Sequence, residues 1–307
     1  MPQKTPFDAH CPPPDPHPRK PRVGIPKGAT DCHAHVIGPA WRYPFVANRS
    51  YTPPDALLAD YRYMLGRLGL TRAVLVQPSM HGNDNTVMLR AIAETSDVEM
   101  RAVVVVPPDI KESRLAELHK IGARGVRINL IYSGGNIDLD AAAQIAARIR
   151  DFGWHIQILV DVSLVPDLMP ELARLPVPLV FDHFGHMPAD RGVMDKGFLA
   201  LLEMIKRGNS WVKISGAYRV SSKTFPYPDV RLLYDALVEA NPDRLVWGTD
   251  WPHTVTPNMP NDGDLIDLVC DWLGEQTLIE KILVDNPARL YRFDINRSTP
   301  RSRQDRS

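Results

Sequence analysis

Three cysteines in 307 residues, Cys11, Cys32 and Cys270, are too few and too widely spaced for a disulfide framework, and they are odd in number. They read as reduced thiols, so the expectation is a cytoplasmic protein. No apolar run approaches the roughly 20 residues of a membrane span. The first residues contain no apolar h-region of a secretory signal. An excess of either charge is also lacking: Lys plus Arg is 36 and Asp plus Glu is 36. That balance gives no reason to expect nucleic acid or a membrane surface as a partner. No Gly-rich phosphate loop follows the first strand-like run, which argues against a dinucleotide-binding sheet.

What remains is a globular chain, 44% hydrophobic and 23% charged, with ample material for a large core. Residues 1–28 are rich in proline, including Pro12-Pro13-Pro14, Pro16 and Pro18, and read as an extended arm in which His10 and His17 are solvated. Residues 296–307 read as a polar tail. Between them, over 29–295, short apolar runs alternate with amphipathic stretches. The runs cover 30–36, 72–77, 101–106, 125–130, 155–160, 179–183, 211–215 and 244–249. Their near-continuous hydrophobicity suits parallel strands covered on both faces. Helical spacing follows at 55–68, 84–94, 112–121, 138–152, 164–175, 198–206, 230–240 and 276–284. Eight strand–helix units in series predict an α/β fold, a closed (β/α)8 TIM barrel, with an open doubly wound sheet as the alternative.

A barrel of this kind carries its chemistry at the C-terminal ends of its strands. The first strand ends in Asp31-Cys32-His33-Ala34-His35, whose two histidines are two apart and so share a face. The sixth ends in Asp182-His183-Phe184-Gly185-His186, and the eighth in Gly248-Thr249-Asp250-Trp251-Pro252-His253. Any one of these could be a capping or loop residue. Three together, at strand ends located by hydrophobicity alone, make an active-site constellation. An aspartate among histidines can take a proton from water while the imidazoles hold a metal or polarise a carbonyl. Arg127 on the fourth strand and Arg219 after the seventh suit a carboxylate or sulfonate.

These motifs resemble the amidohydrolase superfamily of amidohydrolase-2 type. Val76-Gln77-Pro78-Ser79, His81-Gly82, Gly125-Val126-Arg127 and Asn286-Pro287-Ala288-Arg289-Leu290-Tyr291 extend the likeness over 31–291. The resemblance is strongest to its lactonase branch, which acts on sulfomuconolactone and 2-pyrone-4,6-dicarboxylate. It implies Asp250 as general base, with His33, His35 and His183 around the scissile carbonyl. It implies substrate contacts from Tyr51, Ser79, His81, Arg127, His186, Arg219 and His253. It leaves open one zinc ion per chain, on His33, His35, His183 and Asp250, or catalysis without metal.

The chain departs from that pattern in places. The fifth strand offers Gln157 where many amidohydrolases carry a basic metal ligand, and His155 lies at the strand's start, so two metals are not expected. Ser133, Leu159 and His186 stand where the pyrone-dicarboxylate enzyme has Arg, Tyr and Arg. Fewer cationic contacts favour a small anionic lactone of muconolactone or sulfomuconolactone type, opened by hydrolysis in aromatic-compound breakdown. The same barrel mouth would also serve a pyrone-dicarboxylate lactonase, a sugar-lactone isomerase or a zinc-dependent decarboxylase of aromatic acids.

Overall fold

The strand segments are buried along nearly their whole length, as expected of strands with a filled interior on one side and helices on the other. The computed structural model describes residues 11–131 and 138–294. Within them β1 (Thr30–Ala34), β2 (Arg72–Val76), β3 (Glu99–Val104), β4 (Ala123–Asn129), β5 (His155–Leu159), β6 (Leu179–Phe181), β7 (Ser210–Lys213) and β8 (Leu245–Val246) pair in sequence order, all parallel. The chain beyond β8 then returns to β1. Cys32 N–H donates to Trp247 O at 3.0 Å, Asp250 N–H to His33 O at 2.8 Å and His35 N–H to Trp251 O at 2.8 Å. These bonds close the barrel, and the open sheet is excluded.

Close approach of the last strand to the first depends on two residues. A Cβ on Gly248 would lie 2.5 Å from His33 N, so a side chain there would force the strands apart. Asp31 is fully buried and braces the seam. It accepts from Thr249 N at 2.8 Å, Thr249 Oγ1 at 2.6 Å, Tyr61 Oη at 2.9 Å and His33 N at 3.1 Å. Burial raises its pKa to about 6 despite these donors. At the opposite end of the barrel His155 fills the space over Gly125, whose Cβ would stand 2.5 Å from the ring, and meets Tyr291 edge-on at 5.3 Å. It lies far from the mouth and is held neutral, its pKa pushed by burial down to about 3.

Helices Leu58–Leu68, Thr86–Ala93, Glu112–Ile121, Leu139–Ile149, Lys196–Lys206 and Arg231–Ala240 cover the outside, each close to its expected span. The stretch 164–175 differs. Only Met169–Leu172 is α-helical, after 3₁₀ turns at Val162–Leu164 and Pro166–Leu168, because Pro166 and Pro170 interrupt the N–H ladder. The last helical run, begun at Gln276–Glu280, continues through a wider turn at Lys281–Asp285 into Asn286–Tyr291, past the expected 284. Helix Asp262–Leu273 was not foreseen. Two of its buried residues are aspartates, which break the apolar stripe that signals a helix.

One of those aspartates anchors the arm. Asp267 accepts from Arg19 Nη2 at 2.7 Å and from Arg22 N and Nε at 2.8 and 3.0 Å, and Arg19 also reaches Asp264. Gly263 lets the arm lie close, since a Cβ there would stand 2.2 Å from Arg19 O. The arm from residue 11 onward is therefore extended but pinned. His10, Ser133 and the tail 296–307 lie outside the described residues. None of the described helices is long and apolar enough to cross a membrane.

Asp31→Ala leaves several buried donors without an acceptor, at about 1–3 kcal/mol each. It is expected to lower the unfolding free energy by about 3 kcal/mol or more, read by urea denaturation. A loss below about 1 kcal/mol would contradict the bracing role.

Candidate active site

Three strand ends converge on one point. His33 and His35 point the same way from β1, and their Nε2 atoms lie 3.3 Å apart. His183 follows β6, its ring 4.7 Å from that of His33. Asp250 follows β8, with Oδ1 3.8 Å from both His33 Nε2 and His183 Nε2. The backbone turns sharply to place two of these groups: φ is +49° at His183 and +66° at Asp250. Left-handed conformations cost non-glycine residues on the order of 1–3 kcal/mol, and they cluster at functional sites. Gly216 leaves room for them, since a Cβ there would stand 2.9 Å from His183 Nδ1.

A pocket of about 300 Å³, its open mouth included, lies over this cluster. His35, His183, Asp250, Tyr51, Ser79, Arg127, His186 and Arg219 line it, together with Asn129, Leu159 and Thr254. Two residues expected at the substrate lie elsewhere. His81 is buried against Phe45, with ring centroids 5.3 Å apart, and is not part of the lining. His253 is fully buried behind the wall, its ring nitrogens 2.9 Å from Tyr218 Oη and 3.0 Å from Asp262 Oδ1.

The carboxylate of Asp250 is divided in its contacts. Oδ2 accepts from Tyr218 Oη at 2.7 Å and from Arg219 Nε, whereas Oδ1 has no hydrogen-bond partner among the described residues. Burial would raise this carboxyl, but Arg219 and the neighbouring groups outweigh it and hold it well below the usual range. Burial lowers His33, His183 and, to about 3, both His35 and His186, so the four imidazoles are neutral near pH 7. The result is an ionised carboxylate with one oxygen tied and one bare, facing neutral rings that can donate or ligate.

Beneath the cluster is a cation that the sequence reading missed. Lys213 on β7 is fully buried, and its Nζ lies 2.8 Å from Cys32 O, 2.7 Å from Gln157 Oε1, 3.2 Å from His33 Nδ1 and 3.6 Å from Asp182 Oδ1. Gln157 in turn donates to Asp182 Oδ2 at 3.1 Å. Asp182 also faces Arg127 Nη2 at 3.5 Å and His33 Nδ1 at 3.3 Å. A lysine inside the apolar run Trp211-Val212-Lys213-Ile214 was the available signal. Tyr218 and Ser215, the latter 3.0 Å from His183 Nδ1, were also missed. Uncharged hydroxyls carry little signal in a sequence.

The cluster fits a metal ion. His33, His35 and Asp250 each offer an atom within 4.8 Å of the others, as do His33, Asp182 and His183. The bare Oδ1 is the kind of buried, unpartnered acceptor that a cation satisfies. Both groups draw on His33, and Lys213 crowds the Asp182 side. Elemental analysis should therefore find no more than one tightly bound ion per chain, and two would contradict this geometry.

A family model described as amidohydrolase matches residues 30–293. The sequence is 37% identical over 275 residues to 4-sulfomuconolactone hydrolase from Hydrogenophaga intermedia, covering 88% of this chain and 90% of that one. It is 37% identical over 288 residues to 2-pyrone-4,6-dicarboxylate hydrolase from Comamonas testosteroni, covering 90% and 93%. An apo crystal structure of a protein from Agrobacterium tumefaciens superimposes with a TM-score of 0.80 at 30% identity, covering 89% of this chain and 99% of that one. With its barrel, its strand-end histidines and its aspartate after β8, this chain belongs to the amidohydrolase family.

Proposed function

We propose that this protein is a cytoplasmic lactone hydrolase that opens the ester ring of a small anionic lactone, of muconolactone or sulfomuconolactone type. The observation that carries the reading is the divided carboxylate of Asp250: one oxygen held by Tyr218 and Arg219, the other bare between His33 and His183. The names of the two relatives, both hydrolases of cyclic esters or acids, support the reaction class.

Asp250 Oδ1 accepts a hydrogen bond from a water above it and then takes its proton as the water oxygen attacks the lactone carbonyl. Negative charge develops on the carbonyl oxygen, where the N–H groups of neutral imidazoles can meet it. Collapse breaks the bond from the acyl carbon to the ring oxygen, which leaves as an alcohol by taking the proton held on Asp250, and the new carboxyl group then loses its own proton to solvent. The products are one carboxylate and one hydroxyl. When an ion such as zinc is held by His33, His35, His183 and Asp250, it supplies Lewis-acid polarisation of that carbonyl.

Anion selection falls to Arg127. It is buried at the pocket, donates through Nη1 to Gln77 O at 3.0 Å, and its Nε has no partner among the described residues. A carboxylate or sulfonate would satisfy that nitrogen. Leu159 and the neutral His186 give the adjoining wall little charge, which favours a substrate with one well-bound anionic arm over a dicarboxylated pyrone.

In pH-stat assays on a lactone panel, ring opening should release acid, and best activity on 2-pyrone-4,6-dicarboxylate would overturn the substrate class. Asp250→Asn keeps a residue that tolerates the left-handed backbone. It should reduce kcat by about a hundredfold or more, and near-normal turnover of the folded variant would remove Asp250 as base. A methyl ester of the acid substrate leaves the Arg127 nitrogen unpaired, so kcat/KM should fall about ten- to a hundredfold. Arg127→Met should erase most of that difference. Equal rates for acid and ester on the wild type would contradict anion selection.

A further inference from the structure

We infer that Lys213 is a positioning residue that holds His33 in the tautomer with its proton on Nε2, so that this proton points at His35 and occupies the space a metal ion would take between the two rings. The hydrogen-bond partners of the two rings place their protons. His35 Nδ1 lies 2.8 Å from Val76 O. A carbonyl oxygen only accepts, so the His35 proton sits on Nδ1 and its Nε2 is a bare lone pair. That lone pair lies 3.3 Å from His33 Nε2. Two bare nitrogens at this distance repel. A proton on His33 Nε2 turns the contact into a hydrogen bond.

His33 Nδ1 is then an acceptor, and Lys213 Nζ stands 3.2 Å from it. The three N–H groups of the ammonium meet three acceptors: this nitrogen, Cys32 O at 2.8 Å and Gln157 Oε1 at 2.7 Å. The protons run in one direction, from Lys213 to His33, from His33 to His35 and from His35 to Val76. The opposite tautomer places the His33 proton on Nδ1, toward Asp182 Oδ1 at 3.3 Å. It bares His33 Nε2 next to His35 Nε2 and Asp250 Oδ1, the donor set for an ion, in the carboxylate–histidine arrangement that orients metal ligands. Lys213 opposes that state twice: it donates to Nδ1, and it puts a fixed positive charge beneath the ion's place.

The tautomer does not depend on which substrate the site takes, and a spectrum of the resting protein reads it directly. In chelator-treated wild type labelled with 15N-histidine, long-range 1H–15N correlation should show His33 protonated on Nε2 and His35 on Nδ1, with the His33 signal identified by its loss in His33→Gln. A His33 proton on Nδ1 in that spectrum overturns the proposal, whatever the enzyme's substrate. In Lys213→Met the His33 proton should move to Nδ1. Zinc should then bind about ten- to a hundredfold more tightly, the usual scale of a change behind a metal ligand, read by competition with a chelating dye. Unchanged or weaker zinc binding by the folded variant would equally overturn it.

Discussion

The return of the chain beyond β8 onto β1 is the constraint on which the site depends. Asp250 N–H donates to His33 O at 2.8 Å, so one backbone bond sets the distance between the proposed base and the first-strand histidines. Gly248 permits the approach and Asp31 pins it through Thr249. Because the chain must turn across the mouth immediately afterwards, Asp250 takes a left-handed backbone. The strain falls on the residue proposed as the base, and such strain is common at functional sites. Closure of the barrel and assembly of the site are therefore one event.

Burial then decides the charge state of each group. Four histidines are kept neutral because a buried imidazolium is costly. Two carboxylates remain ionised because each has cations in reach. Asp182 has Lys213 and Arg127, and Asp250 has Arg219. The basic residue that many amidohydrolases carry on the fifth strand is replaced by Gln157, and the cation beneath the histidines comes from β7 instead. Gln157 is not idle, since its amide joins Lys213 to Asp182. A neutral histidine above a fixed ammonium differs from one above a carboxylate alone. The former is inclined to donate a proton outward, the latter to offer a lone pair.

The barrel was legible because parallel strands covered on both faces leave nearly unbroken apolar runs, and all eight strands start within two residues of their expected place. His33, His35, His183 and Asp250 were legible because a titratable residue at the end of such a run has few other reasons to be there. Lys213 was not, because a charge inside a strand reads as an interruption until its partners from β1, β5 and β6 are known. Tyr218 and Ser215 act through contacts that only the fold creates. Helix Asp262–Leu273 was hidden by buried aspartates, whose partners His253, Arg19 and Arg22 come from distant parts of the chain. In each case the missing information is a long-range pairing, which local periodicity does not carry.

The central claim is that water, activated at the bare oxygen of Asp250, attacks the acyl carbon of the lactone. Turnover in 18O-labelled water, with the product analysed by mass spectrometry, tests it most directly. One 18O atom should appear in the newly freed carboxylate, and the hydroxyl should retain the original ring oxygen. Label in the hydroxyl would show cleavage on the alkyl side of the ester, and a product without label would show that no water was added, and either result would contradict the account.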